Sequence, residues 1–151
     1  MLVFWPVSGA DLRALAGGQV LTGTAWSATP AFRDTFGLGV GDDEDAERTA
    51  LYLAGLVALR DHGRRLVAVA ELPARDSGDA LGAVSVDRIA FADVTALFAD
   101  APSVAALVDA AGAATTGLAL EDAWDQPAHE ALLADADLLW YGPQEWAALV
   151  P

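Results

Sequence analysis

Cysteine is missing from the 151-residue chain, and histidine occurs only twice. Without cysteine, the chain forms no disulfide bond and offers no thiol nucleophile or thiolate metal ligand. His62 and His129 stand outside zinc-binding spacings such as H-E-x-x-H, and no serine lies in a G-x-S-x-G elbow. We interpret His62 as a cation at a helix end and His129 as a surface residue. The catalytic residues stay unknown, and we predict no metal and no cofactor.

Lysine is also missing, so arginine alone supplies the 8 basic residues that stand against 22 acidic ones, for a net charge of −14. The imbalance is concentrated in residues 76–151, which hold one arginine and thirteen acidic residues. Nucleic acids and anionic membranes both need basic side chains for binding, so we expect neither as a partner. An acidic C-terminal half suits a basic protein partner, while the oligomeric state is left open.

Long apolar runs are absent as well, since no run approaches the roughly 20 residues that cross a bilayer. The first residues, MLVFWP, lack the basic region that starts a signal peptide. We therefore expect a cytoplasmic protein. With 54% hydrophobic residues, the chain is expected to fold as one α+β domain over residues 1–151.

The strongest pattern is a long helix that leads directly into a buried strand. Acidic residues open the helix, where Asp42 or Asp43 can cap free amides and offset the helix dipole. Two adjacent apolar stripes predict a helix packed on more than one side, and Gly63 supplies a left-handed end. The unbroken apolar run at 66–70 is typical of a strand covered on both faces.

The remaining chain alternates short strands and helices. Residues 73–80 form a loop by composition and are expected to connect the strands on either side as an antiparallel pair. Pro127 is expected to kink or split a helix over residues 121–135. Apart from the buried strand at 65–72, the predicted strands are residues 2–5, 21–27, 81–86, 94–99 and 138–141.

The order of these elements predicts an α+β fold. We expect a single mixed, largely antiparallel sheet of five or six strands with helices packed on it, including one long central helix at about residues 42–62. The strands at 65–72, 81–86 and 94–99 would form the antiparallel part of this sheet.

Two local motifs are explained without a ligand. The glycines of residues 37–41 precede a helix as in a phosphate loop, but they follow a helix rather than a strand, and no lysine follows them. The acidic run Asp42–Asp45 would also repel a phosphate. Consecutive carboxylates on a helix point in different directions, so compensation of the helix dipole explains this run better than a bound cation does.

Aromatic and polar residues are unusually dense between residues 138 and 146. A strand ends there and a helix begins, and such junctions often hold ligands in α/β proteins. In the other interpretation, the large rings fill the core and Glu145 offsets the helix dipole. Arg33 or Glu47 could lie opposite the junction. The candidate ligand-binding residues are Trp140, Tyr141, Gln144, Glu145, Arg33 and Glu47.

Several segments together resemble an uncharacterised family of small proteins from high-GC Gram-positive bacteria, classed as a domain of unknown function. They are MLVFWP, DLRAL, TAWSATPAFRD, GDDEDAERTAL, RRLVAVAELP and LLWYGPQEW, in this order along nearly the whole chain. The resemblance implies a small cytosolic bacterial protein and supplies no activity. The chain departs from the family at Arg48 and Thr49, where the family is more aromatic or aliphatic, and at Trp146, where an aliphatic residue is usual. The recurring family residues would be Thr29, Pro30, Glu44, Glu47, Trp140, Tyr141, Gln144 and Glu145.

Two functions from different classes remain open. The favoured one is a non-catalytic cytosolic interaction or regulatory module, whose acidic C-terminal half meets a basic partner. The alternative is a small enzyme or small-molecule binder with a pocket near the junction of residues 140–145.

Overall fold

The computed structural model describes all residues 1–151 as seven strands, six α-helices and three short 3-10 segments. The strands are β1 (Leu2–Pro6), β2 (Leu21–Trp26), β3 (Leu66–Glu71), β4 (Arg75–Asp76), β5 (Ala83–Ile89), β6 (Val94–Ala99) and β7 (Leu139–Tyr141). The helices are α1 (Gly9–Ala16), α2 (Pro30–Phe36), α3 (Asp43–His62), α4 (Ala105–Thr115), α5 (Leu120–Trp124) and α6 (Pro127–Asp135). The 3-10 segments are Phe91–Asp93, Pro102–Val104 and Pro143–Leu149.

The strands form one open sheet in the order β4-β5-β2-β1-β3-β6-β7, and every neighbouring pair is antiparallel. The predicted α+β class and single sheet are confirmed. The predicted strand number and mixed character are wrong, because the sheet has seven strands and no parallel pair. The extra strand, β4, is two charged residues long, and so short a strand has no alternation for sequence analysis to detect.

The expected pairing across the loop at residues 73–80 is also wrong. β3 lies between β1 and β6, whereas β5 pairs with β2 and β4. Five residues of β1 pair with β3, from Leu2 opposite Glu71 to Pro6 opposite Val67. A strand with two apolar faces needs a central position, and loop composition does not tell which strands will flank it. The central position of β3 itself is confirmed, since its first five residues are all buried.

Helix α3 packs on two sides, as its two stripes predict. One side covers the sheet, where Leu53 joins Phe4, Val67 and Val69 in one buried cluster. The other side packs against α4 and α5, with α6 behind them, through a separate buried cluster, which consists of Leu56, Leu59, Val108, Ala111, Ala123, Leu132 and Ala136.

The ends of the helices follow local sequence signals. Gly63 ends α3 with a left-handed φ of 85°. Asp42 occupies the N-cap position of α3, but its carboxylate accepts from the Gly39 N–H at 2.8 Å instead of capping the helix. Pro127 separates α5 from α6, which confirms the predicted split.

The opposite face of the sheet is covered by α1 and the last 3-10 segment. Leu12 and Leu149 pack there against Trp5, Ala68 and Leu97. The sheet is therefore buried on both faces near its centre, and part of its α3 face is accessible beside the first turns of α3. No helix combines the length and apolarity needed to cross a membrane.

Candidate functional site

A groove of about 630 Å³ lies between the first turns of α3 and the sheet. Its floor is made by Leu2 and Phe4 of β1, Val69 of β3 and Phe98 of β6. Phe4 stands opposite Val69 in the β1–β3 pairing, and paired residues project from the same face of a sheet. The alternation of the strands thus places these apolar side chains on one face, as an apolar surface under an open groove.

The rim of the groove is acidic. Glu44, Asp45 and Glu47 contribute carboxylates from the first turns of α3, and Asp137 contributes a fourth from the segment before β7. None of the three α3 carboxylates lies within ion-pair distance of a basic group. Arg48 is the single basic residue in the groove, so its charges sum to a clear negative excess.

Arg48 belongs to a small polar network at one wall. Its guanidinium nitrogen lies 3.3 Å from the Asp137 carboxylate, and its guanidinium carbon lies 5.4 Å from the centre of the Tyr52 ring. The Tyr52 hydroxyl accepts from the Leu138 N–H at 3.0 Å and donates to Asp137 at 3.4 Å.

A second arginine supports Tyr52 from the protein interior. The side chain of Arg65 is fully buried and forms an ion pair with Asp100. Its guanidinium carbon is 5.6 Å from the Tyr52 ring centre, and Nη2 also donates to the Ala136 carbonyl at 3.0 Å. Gly55 lies beside this side chain, since a Cβ there would make an ordinary van der Waals contact of 3.5 Å with Cδ of Arg65.

His129 is buried, so its interpretation as a surface residue is wrong. Its Nδ1 lies 3.0 Å from the Trp124 carbonyl oxygen, and its Nε2 has no hydrogen-bond partner. Burial lowers the pKa of His129, the bond to Trp124 opposes that effect, Arg65 lowers the pKa further, and Glu130 raises it. The residue faces inward from α6, a direction that its neighbours Ala128 and Glu130 did not reveal.

Among the six candidate residues, the groove contains Glu47 alone. Arg33 lies on α2, where it pairs with Asp43 at 2.8 Å. Trp140 is 62% exposed and stands opposite Phe98 in the β6–β7 pairing, so it extends the apolar strip of the floor to the sheet edge.

The other residues of the strand-to-helix junction point elsewhere. Tyr141 faces the opposite side of the sheet, where it lines a cavity of about 480 Å³ with Arg64 and Val150. Glu145 accepts from the Gly142 N–H at 2.7 Å, and Gln144 folds over Gly142 in the same turn. Binding by these residues stays a prediction, and the junction does not gather them into one site.

Sequence reasoning missed the groove because its lining comes from five distant segments. Among its residues, Glu44 and Glu47 alone carried a signal, as acidic residues expected to recur in the resembling family. Nothing in the sequence placed Asp137 beside Arg48, 89 positions earlier in the chain. No three histidine, aspartate or glutamate side chains are grouped so that they could hold a metal ion.

Comparison with known proteins gives one match. The model of a family of unknown function, DUF6912, matches residues 1–150. No curated protein and no solved structure gave a significant match. The family match agrees with the resemblance found in the sequence segments.

Proposed function

Because the chain belongs to DUF6912, a family of unknown function, its role has to be argued from the groove, and we propose that it binds a basic segment of another protein. One observation carries this proposal. The groove combines an apolar floor with three rim carboxylates that have no basic partner. In this proposal the protein is a non-catalytic, cytoplasmic bacterial interaction module.

The chemistry of the groove defines the ligand that fits it. An apolar floor favours aliphatic or aromatic side chains, because covering Phe4 and Phe98 removes apolar surface from water. The carboxylates of the rim favour basic side chains beside them, and a net charge of −14 steers a positive partner toward the surface. A segment that alternates basic and apolar residues satisfies both requirements.

The extent of the apolar surface favours a polypeptide over a small molecule. The floor spans β1, β3 and β6, and Trp140 continues the strip on β7. A ligand that covers this strip has to cross four neighbouring strands, which lie roughly 4.8 Å apart in a sheet.

The carboxylates of the groove differ from the acidic surface expected from the sequence. Glu44, Asp45 and Glu47 lie in the N-terminal half of the chain, and Asp137 alone comes from the acidic C-terminal half. The proposal therefore keeps the basic partner and moves its docking surface. The alternative of an enzyme or small-molecule binder near Trp140 gains no support, because its residues face different sides.

Peptide binding tests the proposal. The probe is a fluorescein-labelled nine-residue peptide that alternates arginine and leucine, and the comparison peptide has glutamate in place of arginine. We expect saturable binding of the basic peptide by fluorescence anisotropy, with an affinity that falls as salt is raised, since salt screens exposed charges. Failure of the basic peptide to bind, or equal binding of the acidic peptide, would contradict the proposal.

A matched pair of double variants locates the binding site. Glu44→Gln with Glu47→Gln removes two exposed carboxylates from the groove, and Asp109→Asn with Glu130→Gln removes two exposed helical carboxylates outside it. Both doubles change the net charge equally. We expect the first to weaken peptide binding about tenfold and the second about twofold or less, as for rim charges. Equal losses would place binding outside the groove.

A further inference from the structure

Arg48 occupies the part of the groove where an aromatic ring face and a carboxylate can both attract a basic side chain. Its guanidinium rests on the face of the Tyr52 ring and pairs with the Asp137 carboxylate. Aromatic faces and carboxylates are the two groups that attract a guanidinium in proteins.

The Arg48 guanidinium has a seat, namely the face of the Tyr52 ring and the Asp137 carboxylate, and the ring is held more firmly than Arg48 is. Tyr52 is 8% exposed, its hydroxyl is held by the Leu138 N–H, and Arg65 covers its inner face. The Arg48 side chain is 66% exposed, and its guanidinium makes the contacts with the Tyr52 ring and the Asp137 carboxylate. An exposed ion pair of this kind contributes little to stability, so the side chain can leave at small cost.

We propose that Arg48 is a stand-in for an arginine of the partner, meaning that it fills the partner's binding site in the free protein. On binding, the partner's arginine displaces Arg48 from the Tyr52 ring and the Asp137 carboxylate. This inference rests on the proposed function and names the side chain that the groove recognises. After the partner's arginine has replaced Arg48, the Tyr52 ring and the Asp137 carboxylate each still contact a guanidinium. A planar guanidinium suits a seat built from a ring face and a carboxylate better than the compact ammonium of lysine does.

The exchange makes Arg48 an internal competitor of the partner. A segment without a suitably placed arginine gains the apolar floor but leaves Arg48 in its seat. A segment with that arginine gains the seat as well, after Arg48 has moved into the solvent. Arg48 therefore lowers affinity most for the segments whose arginine competes for the seat.

A second exposed ion pair supplies the control. Arg75 and Asp87 pair at the far end of the sheet, with side chains 66% and 76% exposed, against 66% and 75% for Arg48 and Asp137. Arg48→Gln and Arg75→Gln thus change the net charge equally and expose similar groups. We expect Arg48→Gln to bind the arginine–leucine peptide about three to five times more tightly than Arg75→Gln does. Equal affinities would overturn the inference.

The partner carboxylate is tested in the same way. Asp137→Asn is expected to weaken binding of the same peptide about three to five times relative to Asp87→Asn, because the partner's guanidinium loses its acceptor. A lysine–leucine peptide is expected to lose less between these two variants than the arginine–leucine peptide does. An identical loss for both peptides would contradict the preference for a guanidinium.

A small probe tests the seat without any peptide. Arg48→Ala empties the seat, and ethylguanidinium chloride should then fill it, with sodium chloride at equal ionic strength as the reference. The Leu138 amide reports the event by NMR, because its N–H donates to the Tyr52 hydroxyl. We expect a saturable shift of that resonance in Arg48→Ala and none in Arg75→Ala.

The peptide experiments and the ethylguanidinium experiment together separate the proposed function from the proposed role of Arg48. If the peptide binds through Glu44 and Glu47 but neither the Arg48 variants nor ethylguanidinium behave as expected, the binding function stands and the stand-in role is overturned. If ethylguanidinium fills the seat while no peptide binds, the seat is supported and the binding of a basic protein segment is overturned.

Discussion

At the scale of single residues, sequence analysis could not predict which polar side chains are buried. Arg65 adjoins Arg64 in the sequence, yet Arg65 is fully buried and pairs with Asp100, 35 positions away. His129 is flanked by alanine and glutamate, yet it has no exposed surface. Each of these residues depends on segments that meet only in the folded chain, so local patterns carry no signal for them.

The buried imidazole of His129 makes stability depend on pH. Its pKa is lowered in the folded protein, chiefly by burial, so the unfolded chain binds the proton more readily. The contribution of neutral His129 to stability is complete above an unfolded pKa of about 6.5 and is lost as pH falls toward the lowered folded value. Unfolding in urea at pH 7.5 and pH 5.5 should therefore show a smaller pH-dependent loss in His129→Asn than in the original chain.

The asparagine variant keeps an amide N–H that can donate to the Trp124 carbonyl, so it separates the charge of the imidazole from its hydrogen bond. Any pH dependence that does not involve His129 is shared by both proteins and cancels in the difference. An equal loss of unfolding free energy in both proteins would show that His129 does not supply this pH dependence.

At the scale of elements, sequence analysis succeeded where one segment contains its own signals. The extent of α3, its Gly63 end and the buried strand after it follow from apolar periodicity, a glycine stop and an apolar run. The partners of β5 could not be predicted, because they depend on competition among strands far apart in the sequence. Gly82 contributes to the pairing of β5 with β2, since its carbonyl accepts from the Ser27 N–H at the end of β2.

Gly82 is expected to be indispensable for the entry into β5. It has a φ of +82°, and a Cβ added there would lie 2.4 Å from the Ser27 carbonyl oxygen. Gly78 has a φ of +79° with no atom within 4 Å of the added Cβ, so it provides a matched control for left-handed backbone. Gly82→Ala should lower the free energy of unfolding by about 3–4 kcal/mol, and Gly78→Ala by about 1–2 kcal/mol.

Urea unfolding measured for both variants under one set of conditions checks the comparison. The shared φ penalty cancels, so the difference reports the clash of the added Cβ with Ser27 and Phe32. Losses of equal size would mean that the start of β5 shifts away from Ser27 without cost, and the contact would then not position the strand.

At the scale of the whole molecule, charge counted along the sequence does not describe charge on the surface. The sequence predicts an acidic C-terminal half, but the fold places β6 and β7 beside β3 and mixes the two halves in one sheet. The groove joins residues from Leu2 to Leu138. Composition predicts the sign of the overall field, and the fold shows where acidic side chains meet an apolar surface.

Trp140 offers a direct measurement of that field. It is 62% exposed, stands beside Phe98 of the groove floor, and lies on a molecule with a net charge of −14. The difference in fluorescence between the original chain and Trp140→Phe isolates its emission from that of the other four tryptophans. We expect cesium to quench this emission better than iodide, relative to free N-acetyltryptophanamide, because a negative potential concentrates cations near the ring.

Salt provides the control for that measurement. Exposed charges are screened over roughly 8 Å at 0.15 M salt and over shorter distances above it, so the preference for cesium should fall toward that of the free compound as sodium chloride is raised. A preference that does not change with salt would indicate steric access rather than charge. Equal quenching by both ions at low salt would contradict the negative field at the sheet edge, and with it the attraction on which recognition of a basic partner depends.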